Sequence, residues 1–545
     1  MWSEELRWAQ IPREMLQSKE YFLPTINGNT YYDKPLGSYW LVLFSSWCTG
    51  AMDELACRLP SAISGMISVL FTMLIALRLY DQKTAIYSGI ILGTSYSFVF
   101  FSRHASTDLE NIAGILIALY LFLVYEKKPQ GWWVLAFWIT MALTSLTKGL
   151  LGFALPLLVA GVYSLAQNRK MILSASKPSL IIVNCIKANE WLFQWRTLIA
   201  LPFAILVYLA PFLISLAWFG NGEGLSMVWR ENIRRFYNPV NHIAPITLYF
   251  GVIFTLLAPW SLFLPAALVQ AFSKPKGGLK DKQSDLFAIV YFVSMFLFFT
   301  LASSRRSYYL LPVLPGAALL IASLFATEYS RLNKWPAFMF KISSYLLMVA
   351  VASMVILLVP AENIMPRPWN TLPQLPYGMI FGLMIISTLG LGYWAVRKKE
   401  TNAWFLCSGW FAAYLMAYLF LGFFPAAEAY RTQKEFLKQV VSFTSQNEGG
   451  LCLYKTREAV FYLGNKSPIP EYHGEEQLMA SYKKGGPRWV LMKKRDTISP
   501  IFDGHVVLEE TNFPWEGAQA KVKLALVDLA GKKHESKVAV TSIQD

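Results

Sequence analysis

Charge is scarce in this chain. Only 15% of its 545 residues are charged and 55% are hydrophobic, where a soluble protein would carry roughly 25% charged residues. That scarcity excludes an ordinary soluble globular protein. Cysteine is scarce too. Its five residues, Cys48, Cys57, Cys185, Cys407 and Cys452, show no metal-ligand spacing. Cys48 and Cys57 are near enough in sequence to pair on an outer face, but a bridge is not readable from sequence. No internal repeat and no low-complexity stretch stands out. The net charge of +15 does not signal nucleic acid, because in a membrane protein excess Lys and Arg mostly set topology.

What the chain has in abundance is long apolar runs, with a mean hydropathy of +0.39. Runs of about 17–25 residues are the length needed to cross a bilayer core as helix. Twelve spans are predicted at 59–79, 85–101, 108–125, 131–147, 150–166, 199–219, 245–271, 285–302, 308–326, 338–359, 376–396 and 403–423. The stretch 36–51 is shorter and contains Gly37, Ser38, Ser45, Ser46 and Gly50, which favours an interfacial or re-entrant helix.

Lys and Arg in the connections orient the spans. With the first loop outside, the inner set holds Arg78, Lys83, Lys127, Lys128, the basic stretch Arg169 to Arg196, Lys274, Lys276, Lys280, Lys282, Arg331, Lys334 and Arg397-Lys398-Lys399. That is roughly eighteen cations against about half as many outside. Residues 1–58 are then outside although no span precedes them and their polar start is no signal peptide. The expectation is a start that lacks a first helix, which would make thirteen spans. After about residue 430 the sequence becomes polar and mixed. Glu435 to Ser445 reads as a helix, and 451–454, 459–463, 489–492 and 506–508 read as strands. A small outer α/β domain of about 100 residues follows. The expected division is therefore a first outer loop at 1–58, a membrane core at 59–425 and a C-terminal domain at 426–545.

Sorted by side, the unusual polar residues gather outside. The carboxylates are Glu4, Glu5, Glu14, Asp33, Asp53, Glu54 and Asp108. With them lie Arg7, Lys34, Arg103, His104, Arg234, Arg235, His242, Arg305, Arg306, Tyr308 and Tyr309. Charges near membrane depth are costly and usually functional. Cations of this kind suit a phosphate, arginine by its forked donors.

Several short motifs occur in order along this outer face. They are Glu4-Glu5-Leu6-Arg7-Trp8-Ala9, Pro24-Thr25-Ile26-Asn27-Gly28, Asp33-Lys34-Pro35, Arg58-Leu59-Pro60-Ser61-Ala62, Thr107-Asp108, Leu146-Thr147-Lys148-Gly149 and Tyr309-Leu310-Leu311-Pro312. Together they resemble the membrane-embedded GT-C glycosyltransferases, in particular the bacterial aminoarabinose lipid A transferases and the protein O-mannosyltransferases. That family opens with Asp-Glu-x-Arg-Tyr-Ala and later has Glu-Lys-Pro. Here Glu4 stands for the Asp and Asp33 for the Glu, so one side chain is longer by a methylene and the other shorter.

The resemblance implies a polytopic α-helical membrane protein of GT-C type, embedded in a bacterial inner membrane with its site on the periplasmic face. It implies transfer of a sugar from a polyprenyl-phosphate donor to a lipid A-like acceptor, with a protein or another glycan as alternative acceptor and no role for nucleic acid. The absence of a soluble nucleotide-sugar-binding domain agrees. Glu4, Asp33 and Asp108 are the implied catalytic carboxylates. Lys34, Arg7, Arg234, Arg235, Arg305, Arg306 and Tyr309 are the implied donor-phosphate ligands, since a leaving phosphate needs cations. A divalent metal at Asp33 and His242 is the one cofactor entertained. Each residue also has a plainer reading: a solvated helix face for Glu4, a surface ion pair for Glu5 and Arg7, a turn for Asp33 and Lys34, a helix cap for Asp108. For the arginines and Lys148 it is snorkelling to the interface. The rivals of other classes are a lipid or solute transporter, which should show repeats and mid-membrane charges, and a catalytically dead scaffold.

Overall fold

Apolar stretches that must satisfy their own backbone in lipid have to become helices, and all twelve expected stretches contain helix. The computed structural model describes residues 5–127, 132–175, 177–231, 244–273, 282–358, 376–464, 468–502, 505–512, 523–531 and 537–538. Among these residues, six helices are long and apolar enough to cross a membrane, at 54–79, 195–219, 307–326, 334–358, 378–398 and 401–428. The number rises to eight if each of two bent pairs is one span. The basic stretch 169–196, read from sequence as a plain connection, holds the helices Arg169–Leu173 and Pro178–Ala188.

The first loop begins with α1 (Glu5–Ser18), whose buried face carries Leu6, Trp8, Ala9, Ile11 and Met15. A hairpin of β1 (Thr25–Ile26) and β2 (Asn29–Thr30) follows. Then α2 (Gly37–Thr49) forms over the stretch expected to be interfacial. At 13 residues it is too short to cross a bilayer core. Next comes α3 (Glu54–Leu79), started by Asp53, which accepts from Ala56 N at 2.9 Å. Cys48 and Cys57 are both free thiols, Cys57 buried.

The expected spans 85–101 and 245–271 are each broken. The first is α4 (Gln82–Gly93) and α5 (Tyr96–Ser102), bent by 67°; the second is Leu248–Leu256 and Trp260–Phe272, bent by 119°. Breaking a helix in lipid frees backbone groups that need new partners. The two breaks are joined by one backbone and one side-chain hydrogen bond. Tyr96 N donates to Ala258 O at 2.9 Å, and Trp260 Nε1 donates to Thr94 Oγ1 at 2.9 Å.

The pair that positions the site is α6 (Asp108–Lys127) and α7 (Trp133–Lys148). They pack closely because Gly114 faces Thr144; a Cβ there would lie 1.9 Å from Thr144 Oγ1. Small residues at such contacts let membrane helices approach. The chain then turns at Gly149 into α8 (Leu151–Gln167).

The tail holds a mixed sheet in the order β4-β3-β5-β7-β6-β8. Its strands are β3 (Leu451–Tyr454), β4 (Glu471–Tyr472), β5 (Trp489–Lys493), β6 (Val506–Glu509), β7 (Leu524–Asp528) and β8 (Lys537–Val538). Alternation along the strands gives it two apolar faces. Leu453, Leu491 and Leu526 pack with Phe436, Leu437 and Val440 of the helix Lys434–Gln446. Cys452, Val490 and Val527 pack with Leu478 on the other face. One expected strand is not a strand. Residues 457–463 form a helical turn ended by Gly464 at φ +69°. Short apolar runs do not distinguish strand from helix, and here the run packs on the helix Lys434–Gln446 over one face of the sheet and on α1, instead of adding a strand.

Candidate active site

The first loop is shaped by Glu14. Its carboxylate accepts from Thr25 Oγ1 and Asn27 N, both at 2.6 Å, and from Gly28 N at 3.2 Å. Those three donors are the turn of the Pro24 to Gly28 motif. Asn27 (φ +55°) and Gly28 (φ +75°) occupy the left-handed region, where Asn and Gly are the residues of lowest cost. Asn27 is buried and pairs reciprocally with the tail. Its Nδ2 donates to Ile469 O at 2.8 Å, and Ile469 N donates to its Oδ1 at 2.7 Å. Arg13 donates to Phe461 O at 2.7 Å and lies over the Phe461 ring.

Downstream of this turn, Asp33 gathers the cations of the loop. Arg7 Nη1 donates to Asp33 Oδ2 at 2.9 Å, and Lys34 Nζ lies 3.5 Å from the same oxygen. Arg230 donates to the Tyr32 carbonyl at 2.8 Å. It brings the end of the helix Glu223–Trp229 beside this group. The chain next enters α2 at Gly37, where a Cβ would lie 2.7 Å from Leu146 O. Glycine here allows the loop to press on the end of α7, and Ser38 donates to the buried Glu110 of α6.

Leu146 lies two residues before Lys148, and Glu110 two residues after Asp108. The second polar group is therefore adjacent. Lys148, in the last turn of α7, is ion-paired with Asp108, in the first turn of α6. Each sits at the helix end whose dipole favours its charge. Lys148 also faces the Tyr309 ring at 5.5 Å. Arg306 donates to Tyr308 Oη at 2.5 Å, and the Tyr308 and Tyr309 rings meet at 5.1 Å. Lys148 thus does not snorkel; it is held inward by a carboxylate.

Glu5 has a different role. Its side chain is 1% exposed and its carboxylate accepts from Arg58 Nε at 2.9 Å, Arg58 Nη2 at 2.8 Å and Ala105 N at 2.9 Å. Burial pushes its pKa up, but the Arg58 hydrogen bonds and the other polar partners outweigh burial and leave it at about 2. His104 Nδ1 lies 3.4 Å away. Burial holds the imidazole below its ordinary pKa despite the pull of Glu5. Glu5 is not a surface ion pair with Arg7. It pins α1 to the start of α3 and to the turn before α6.

The structure thus brings Asp33, Lys34 and Arg7 together, and Asp108, Lys148 and Tyr309 together, with the two groups joined through Gly37, Ser38, Leu146 and Glu110. It places Arg305 otherwise. That guanidinium donates to Thr300 O at 3.2 and 3.0 Å and to Ala244 O at 2.6 Å, tying a helix end whose last carbonyls need donors. Glu4, Arg234, Arg235 and His242 lie outside the described residues. Lys148 and Glu110 carry more than sequence reasoning assigned them; the Leu146 to Gly149 motif and the second acid two positions after Asp108 were the available signals. A metal at Asp33 finds little support. Two cations already face that carboxylate, and no group of three His, Cys, Asp or Glu suited to a metal occurs among the described residues.

Several known proteins resemble this chain. The model of the dolichyl-phosphate-mannose-protein mannosyltransferase family matches residues 33–188, which include Asp33, Lys34, Asp108 and Lys148. An undecaprenyl phosphate-alpha-4-amino-4-deoxy-L-arabinose arabinosyl transferase of Pseudomonas fluorescens is 28% identical over 328 residues, 59% of this chain and 54% of the relative. One from Pectobacterium carotovorum is 26% identical over 446 residues, 78% of this chain and 72% of the relative. The chain thus spans about half the length of the first of these. The crystal structure of ArnT from Cupriavidus metallidurans bound to undecaprenyl phosphate superposes with a TM-score of 0.65 at 17% identity, covering 99% of this chain and 94% of that one. The chain therefore has the membrane-embedded GT-C glycosyltransferase fold and is related in sequence to transferases of the ArnT and protein-mannosyltransferase type.

Proposed function

We propose that this protein transfers a sugar from a polyprenyl-phosphate donor to a lipid A-like envelope acceptor at the periplasmic face of a bacterial inner membrane. The relatives named for undecaprenyl phosphate and aminoarabinose support the donor class. The asymmetry of Lys and Arg supports the orientation. In this reading residues 1–58 form the catalytic loop, 59–425 the membrane core and 426–545 an outer domain.

The observation that carries the proposal is the junction of two carboxylate–cation groups at Gly37 and Leu146. In the reaction the bond between the anomeric carbon and the donor phosphate breaks, and a bond from an acceptor oxygen to that carbon forms. Charge grows on the leaving phosphate. Lys34, Arg7 and Lys148 answer it, which is the electrostatic stabilisation that such sites depend on. Asp33 and Asp108 hold those cations in place before the phosphate arrives, and Tyr309 backs Lys148. Arg234, Arg235 and Arg306 are further phosphate ligands in this scheme. Glu4 is assigned to the acceptor by its place in the first motif. An acceptor phosphate is already a nucleophile and needs positioning, whereas a hydroxyl needs a base.

The test is transfer in proteoliposomes supplied with polyprenyl-phosphate-linked sugar and lipid A. Glu4→Gln, Asp33→Asn and Asp108→Asn are assayed singly. Loss of turnover in each is expected; full turnover in all three removes the site assignment.

A further inference from the structure

The basic stretch between α8 and the helix Trp195–Phe219 has no part in the scheme above. It holds α9 (Arg169–Leu173) and α10 (Pro178–Ala188). Asn184 Nδ2 donates to Met171 O at 2.8 Å and ties the two into a hairpin. Trp191 then docks the stretch, its ring meeting Phe122 at 5.2 Å and Phe137 at 5.9 Å. Phe122 and Phe137 lie in the halves of α6 and α7 remote from Asp108 and Lys148. The hairpin therefore sits at the opposite end of these helices from the candidate site. The Lys and Arg asymmetry makes that end the inner one, and Arg78 of the same inner set donates there to Leu123 O at 3.0 Å.

The hairpin is apolar and uncovered. Of α10 only Ala188 is buried. Leu180, Ile181, Val183 and Ile186 are exposed, with Ile182 at 62% and Leu173 of α9 at 81%. A helix apolar around most of its surface belongs in lipid or in a core. At 11 residues α10 is too short to cross a bilayer, so it lies along the membrane surface with its lysines at headgroup level. Charge here is one-sided. Between 169 and 196, Arg169, Lys170, Lys177, Lys187 and Arg196 stand against Glu190 alone. Arg169 donates to the Ala166 carbonyl at 2.9 Å, and Arg196 faces the Trp195 ring at 5.4 Å. Of the carboxylates nearby, Glu126 has a partner of its own, and Asp285 accepts from Tyr80 and Ser323. Lys170, Lys177 and Lys187 have no carboxylate partner among the described residues. Lys170 and Lys187 flank the Asn184–Met171 bond, and Lys177 precedes α10. A lipid of negative headgroup supplies both things this surface lacks, acyl chains and negative charge.

We propose that the α9–α10 hairpin is a docking surface for anionic phospholipid of the inner leaflet. Lys170, Lys177 and Lys187 are the headgroup ligands, and the apolar surface of α10 lies among the acyl chains. The full chain in detergent micelles is titrated with phosphatidylglycerol and, as zwitterionic reference, phosphatidylcholine, with bound lipid counted by native mass spectrometry. Phosphatidylglycerol should bind more tightly. Lys170→Gln, Lys177→Gln and Lys187→Gln should each weaken it roughly five-fold, and together about a hundred-fold. A triple variant of equal charge change, Arg397→Gln, Lys398→Gln and Lys399→Gln, should stay within about two-fold of the wild type. Equal losses in the two triple variants reduce the effect to net charge and overturn the proposal. So does equal binding of the two lipids, or no loss in the lysine variants. Glycerol phosphate has the charge without the chains and should not displace the lipid; displacement makes the surface an anion site only and rejects it. In phosphatidylglycerol nanodiscs, a spin label at Ile182→Cys, with Cys48→Ser and Cys185→Ser, should be reached by oxygen and not by a water-soluble nickel chelate. The reverse accessibility leaves the surface to a protein partner and rejects the lipid.

Discussion

Removing Arg58 should unfasten the first loop. Glu5 is buried, and both of its oxygens are engaged by Arg58, with Ala105 N as the next donor. Truncating one member of a buried pair leaves the other charge uncompensated, at a cost of about 3–5 kcal/mol. The same scale follows from protonation. Holding the carboxylate ionised down to about pH 2 instead of 4.5 contributes about 3 kcal/mol to the folded state, at about 1.4 kcal/mol per tenfold in proton affinity. The sign follows from a depressed acid. The contribution is complete above pH 4.5 and is lost as pH falls toward 2. Arg58→Ala, Glu5→Gln and the double variant should be unfolded by denaturant in mixed micelles at pH 7. The cycle should give a coupling of about 2–3 kcal/mol, and the Glu5→Gln protein should lose the acid limb of its stability profile. A coupling below about 0.5 kcal/mol, or an unchanged acid limb, would refute the pinning role.

Three other perturbations follow from the geometry. Lys148→Ala should cut sugar transfer by about a hundred-fold or more while leaving the folded protein intact by size-exclusion chromatography, and Asp108→Asn added to it should cost little further. Asn27→Ala leaves the Ile469 amide and carbonyl without partners and should destabilise the loop–tail contact by about 1–3 kcal/mol, read as faster protease cleavage between residues 464 and 470. Gly28→Ala strains a residue at φ +75° and sets a Cβ 2.9 Å from Pro468 Cγ. It should lower the thermal midpoint, whereas Asn29→Ala, on an exposed position, should not.

Much of the membrane core was legible because its signal is local. An apolar run long enough to span a bilayer must be helix, so all twelve stretches could be read without knowing their neighbours. The bends at Thr94 and Pro259 were not legible, since each is stabilised by the other across the fold. Asp33 and Asp108 could be found as costly charges, one in a turn and the other at a helix start. What they hold could not, because Arg7 is 26 positions from Asp33 and Lys148 is 40 from Asp108. Glu5 was misread for the same reason. Beside Arg7 in sequence it looks like half of a surface pair, while its true partner is 53 residues away. The run 459–463 was misassigned because it packs on the helix Lys434–Gln446 and on α1, and only the first of these is visible to a reader of the tail alone.

The contact between loop and tail sets a timetable for synthesis. Arg13 and Asn27 precede their partners Phe461 and Ile469 by 448 and 442 residues. At roughly 5–20 residues per second, they wait about 20–90 s on the ribosome before those partners exist. Until then the turn around Asn27 has only its local hydrogen bonds to Glu14. The Asn27 turn is thus among the last parts of the loop to be fastened, long after Glu5 and Ser38 can meet Arg58, Ala105 and Glu110.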